Sequence, residues 1–138
     1  MFADSGVAGT VGRALLLVGI VGSLFGAIAA ISSARTREAA VTKLISRFAI
    51  LNAVAAVGAF ASMEYAMITR DFSLAYVQKV GSTATPALYN FAAVWSALEG
   101  SLLMWVLILA GYTVAVSFWL RKKMDDVLTN WAMGVMFI

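Results

Sequence analysis

Between Arg13 and Arg35 the chain carries no charged residue, and none lies between Arg47 and Glu64. Runs of this kind constrain the fold class before any motif does. A bilayer core of about 30 Å is crossed by roughly 20 apolar residues in a helix. Lipid offers no partner for free backbone N–H and C=O groups, so a run placed there satisfies them internally. The pattern predicts one span over about 11–33, a second over about 48–68 and a third over about 91–120. A fourth apolar run begins near Val127 and reaches only Ile138, too short to cross. The expected fold class is all-α integral membrane: three transmembrane helices plus the start of a fourth. The interrupted last run marks 1–138 as the N-terminal transmembrane portion of a larger polytopic protein. A complete small protein with an interfacial tail is the competing expectation.

Composition agrees. The chain is 62% hydrophobic and 12% charged, where soluble domains have about 45–50% and about 25%. It contains neither cysteine nor histidine. That excludes disulfides, thiolate metal sites and the commonest general base and metal ligand. No catalytic or metal-ligating residue is therefore expected.

The net charge of +3 reflects lipid and topology, with no nucleic-acid partner implied. Arg35, Arg37, Lys43 and Arg47 gather in one loop, and Arg121, Lys122 and Lys123 in another. The N-terminus offers Arg13, and the loop over 69–90 offers Arg70 and Lys79. Positive residues favour the cytoplasmic side, so the N-terminus and the 69–90 loop are expected outside.

Several residues invite closer reading. Gly22 and Gly26 form a G-x-x-x-G, a spacing that lets helices approach closely. Glu64, beside Tyr65 at the end of the second span, is expected to reach headgroup water. The outward loop places Phe72, Leu74, Tyr76 and Val77 in a short amphipathic or extended piece. Pro86 suits the start of a helix leading into the third span. In that span Trp95, Glu99, Leu102 and Val106 are spaced to share one helix face. Ser96 with Gly100, and Ala97 with Ser101, give small-xxx-small pairs. A carboxylate in hydrocarbon is costly unless protonated, paired or facing a polar cavity. Glu99 is thus either a structural hydrogen-bonding group or the lining of a ligand chamber or proton path.

The segments Asp71-Phe72-Ser73 and Tyr76-Val77, with Ser82, Pro86, Tyr89 and Trp95, precede Glu99-Gly100-Ser101-Leu102-Leu103-Met104-Trp105. This order and spacing resembles the N-terminal region of the CcmF/CycK/NrfE family, the haem lyase subunits of cytochrome c maturation. The resemblance implies a multi-pass protein of the bacterial inner membrane. It implies haem as cofactor, with a haem chaperone, apocytochrome c and other maturation subunits as partners. It makes Tyr76, Pro86, Tyr89, Trp95, Glu99, Gly100, Ser101 and Trp105 the candidate haem or partner region. The family's tryptophan-rich W-G-x-x-W-x-W-D-type segment and haem-ligating histidines do not occur here. Leu98 stands where many relatives have histidine, and Asn90 where a basic residue often follows the tyrosine. Two other functions compete: a proton or ion translocator subunit using Glu64 and Glu99, and a small structural assembly factor.

Overall fold

A computed structural model describes residues 6–36, 39–81, 86–120 and 126–138. The elements are α1 (Val7–Thr36), α2 (Ala39–Ile68), α3 (Ala75–Val80), α4 (Ala87–Ala93), α5 (Leu98–Trp119) and α6 (Val127–Met136). The described residues contain no strand. Three helices are long and apolar enough to cross a membrane: Val7–Thr36, Lys43–Ile68 and Leu98–Trp119. The fourth apolar run is the short helix α6. Arg37, Glu38, Ser82 and the basic cluster Arg121, Lys122 and Lys123 lie outside the described residues.

The expected third span is corrected at its start. Instead of one helix from Phe91, the chain forms α4, then a turn over 94–97 in which the Trp95 and Ser96 N–H groups donate to the Ala92 and Ala93 carbonyls, then begins α5 at Leu98. Pro86 precedes the first residue of α4, as its fixed φ and missing N–H allow.

The chain divides into two compact units. One comprises Met1–Leu16 with Ala56–Leu107, the other Leu17–Ala55 with Ile108–Ile138. In the first, Ala66 and Met67 of α2 pack on Tyr76 and Val77 of α3 and on Val94. This brings α3 over the end of α2. A left-handed residue closes α2: Arg70 has φ 56°. The Arg70 N–H donates to the Met67 carbonyl, and the Asp71 N–H to the Ala66 carbonyl. This paired pattern satisfies carbonyls that a helix end leaves open.

In the second unit the core is Ala27, Ala29, Ala30, Ile45, Ala49, Met133 and Phe137. Small residues let the backbones approach. Gly22 lies against the side chain of Asn52, and Gly26 against the Phe137 ring. The G-x-x-x-G therefore serves packing, with its two glycines meeting different helical segments. Asn52 donates to Ser23 Oγ at 2.8 Å. Phe25 stacks on Phe48 with ring centres 6.3 Å apart. Asp126 caps α6 by accepting from the Leu128 N–H.

Candidate functional site

The 94–97 break is held from a distance in sequence. The Tyr76 hydroxyl donates to the Val94 carbonyl at 2.6 Å. That carbonyl lies where a straight helix would break, and a phenol eighteen positions away in sequence supplies its partner. Gly100, buried, presses its Cα against the same carbonyl, so a Cβ there would overlap the Val94 oxygen. Tyr76 and Val94 are themselves buried in one apolar cluster with Val77, Ala66 and Met67. Burial pushes the Tyr76 phenol above its ordinary pKa, and the Glu99 charge pushes the same way. The Gly100 backbone opposes the shift through its hydrogen bond, while Glu64 adds a smaller upward push.

Around this buried knot sit exposed polar groups. Lys79, in the last turn of α3, meets Glu99, in the first turn of α5, at 3.2 Å. Glu99 is 53% exposed. Its surroundings differ from those expected of a carboxylate two turns into a span, because the break makes it a helix-start residue. There a carboxylate is favoured by the N-terminal end of the helix dipole. The expected face shared by Trp95 and Glu99 does not form, since Trp95 precedes the helix that carries Glu99. The proposed small-xxx-small pairs fail for the same reason: Ser96 and Ala97 lie in the break.

The Asp71-Phe72-Ser73 segment has a structural task. The Gly6 N–H, at the start of α1, donates to Ser73 Oγ at 2.8 Å. Ser73 Oγ donates to Asp71 Oδ1 at 2.5 Å, and the Ser73 N–H to the same oxygen at 3.1 Å. The Asp71 carboxylate also abuts Gly6. An anion is thereby placed at the positive end of α1.

The candidate residues thus separate. Tyr76, Glu99 and Gly100 come together at the junction. Trp95 is partly exposed and meets the Phe91 ring edge-on at 5.6 Å. Ser101 donates to the Leu98 carbonyl of its own helix. Pro86 is exposed, and Tyr89 and Trp105 are each 65% exposed. These residues make no part of the knot.

Sequence reasoning passed over Val94 and undervalued Lys79 and Glu64. Lys79 had a sign opposite to Glu99, but no spacing rule connects them. Glu64, expected at headgroup water, is 7% exposed, and neither carboxylate oxygen has a hydrogen-bond partner among the described residues. Glu64 and Glu99 consequently differ in kind, one buried and one exposed in an ion pair, which does not suit a two-carboxylate relay.

Spans and junction define a multi-pass α-helical membrane protein whose loop between the second and third spans is packed back onto them. CcmF of Pseudomonas fluorescens, a cytochrome c-type biogenesis protein, is 53% identical over 64 residues, covering 46% of this chain and 10% of that protein. The Escherichia coli K12 protein of the same name is 37% identical over 83 residues, 60% of this chain and 13% of its own length. CycK of Rhizobium meliloti and the probable NrfE of Escherichia coli K12 are each 32% identical over part of their length, so the chain is similar to CcmF, CycK and NrfE proteins alike. A solved structure named cytochrome c heme lyase CcmF matches with a TM-score of 0.87 and 28% identity, over 99% of this chain and 23% of that one. No family model matches the chain. The chain spans about a tenth of the length of the curated relatives it matches.

Proposed function

We propose that this chain is the N-terminal transmembrane portion of a haem lyase subunit of cytochrome c maturation. The full-length protein would accept haem from a haem chaperone and support its covalent attachment to apocytochrome c at the outer face of a bacterial inner membrane. In this reading the N-terminus and the 69–90 loop face outward. The carrying observation is the superposition on the heme lyase structure along 99% of the chain.

Haem enters as cargo and not as a resident group of this portion. The sequence has no histidine or cysteine, and the described residues hold no group of three or more His, Cys, Asp or Glu able to bind a metal. In this reading iron ligation through histidine or cysteine belongs to other parts of the full-length protein. The role assigned here is scaffolding: the Tyr76–Val94–Gly100 knot fixes the outward loop to the third span and sets the start of α5. Trp95, Tyr89 and Trp105 then present aromatic surface to partners or to other helices of the protein, and Pro86 directs α4.

The test is complementation of a bacterium lacking its own family member, read as haem covalently attached to c-type cytochromes. The full-length protein should restore attachment. A full-length protein carrying Gly100→Val should fail to do so, while Lys79→Ala should restore it. Accumulation of the full-length protein without any covalent haem attachment would reject the reading.

A further inference from the structure

We propose that the cavity between the start of α1 and the end of α2 is a phospholipid site, taking the upper part of an acyl chain, with the lipid phosphate at Arg13. The cavity measures about 160 Å³ and lies wholly within the first unit. Gly12, Leu16, Ala59, Met63, Leu74 and Leu103 form most of its wall. Two polar side chains, Ser62 and Arg13, complete it. The Ser62 hydroxyl already donates to the Ala59 carbonyl at 2.8 Å, so it presents no free donor inward. The interior is therefore hydrocarbon in character with one cation at its edge.

Size decides between occupants. An apolar cavity of about 150 Å³ stays dry and takes a ligand the size of benzene. A helix, about 10 Å across, does not fit. A flexible hydrocarbon chain does. Among the lining residues Arg13 and Leu16 are the exposed ones, so a hydrocarbon chain would enter past them.

Depth agrees with charge. The 30 residues of α1 rise about 45 Å, against a core of about 30 Å. Its uncharged stretch lies between Arg13 and Arg35, so Arg13 falls at one boundary. Arginine extends its charged head to such a boundary while its stem covers apolar surface. Its guanidinium has five N–H donors, so a protein contact leaves donors for a phosphate. Acyl chain below and phosphate at the boundary is the geometry of a membrane phospholipid.

The experiment uses the full-length protein in phosphatidylcholine vesicles with two photoreactive probes sharing one acyl chain. One probe is phosphatidylglycerol and the other is diacylglycerol, which lacks the phosphate. Cross-linked positions are mapped by mass spectrometry. Phosphatidylglycerol should label Met63 and Leu103, with diacylglycerol labelling them about fivefold less, the worth of one arginine near anionic headgroups. Arg13→Gln should abolish that difference while exposed Leu24 is labelled as before. Equal labelling by both probes in the unaltered protein would overturn the phosphate assignment, as would a difference that survives Arg13→Gln. If Leu24 is labelled and the cavity is not, another part of the protein fills it and no lipid site exists.

Discussion

Gly100 and Val94 are in backbone contact: the Cα of one lies against the carbonyl oxygen of the other, with no room for a methyl group. The contact folds the entry to the third span back onto its own first turn. Because the obstacle is backbone, it cannot rotate away as a side chain would. Gly100→Ala should destabilise the protein by about 3 kcal/mol, the upper end of overpacking costs. Thermal unfolding of the detergent-solubilised full-length protein would measure this, and an unchanged midpoint would refute the close approach.

Tyr76 ties the same carbonyl from the other side. Tyr76→Phe keeps the ring but leaves the Val94 carbonyl unpaired, at a cost of about 1–3 kcal/mol. The phenol's pKa is raised in the folded state, chiefly by burial. The folded protein therefore holds this proton more tightly than the unfolded chain. The resulting stability is fully present below the ordinary tyrosine value of about 10 and is lost as pH rises through the higher folded value. Stability should be flat in this term through neutral pH, and its alkaline decline should weaken in Tyr76→Phe. Unfolding at a series of alkaline pH values would check the sign.

Lys79 and Glu99 are paired but exposed, and exposed pairs contribute little. Glu99→Gln and Glu99→Leu should both leave the thermal midpoint closer to the unaltered protein than Tyr76→Phe does. A large loss in either would mean that Glu99 has a further partner in the complete protein.

Ser73 connects the start of α1 to the outward loop through the Gly6 N–H. Ser73→Ala should cost about 0.5–1.5 kcal/mol, confined to that end of the helix. Hydrogen exchange at the first turn of α1 should accelerate while the middle of α1 keeps its protection.

Asn52 donates to Ser23, yet its carbonyl oxygen has no partner among the described residues. One bond gained and one acceptor left open nearly offset each other, and interhelical bonds in membranes average only about 0.6 kcal/mol. Asn52→Leu should shift stability by less than about 1 kcal/mol in either direction, measured by unfolding in detergent.

The sequence by itself determined the spans, because apolar length and the positions of charges are local properties that a bilayer reads directly. It also marked Pro86 as a helix start, since proline's geometry is its own. The family was legible in Tyr76, Glu99, Gly100 and their neighbours, because their order and spacing are sequence properties. Only tertiary structure decided that the third span breaks over 94–97. The break depends on the Val94 carbonyl finding Tyr76, a residue of another helix, and on Gly100 leaving space for it. In the same unit Glu99 is exposed and paired with Lys79, while Glu64 is buried. Helical periodicity predicts which residues share a face only while the helix continues. What interrupts it here is a hydrogen bond between segments that the sequence keeps far apart.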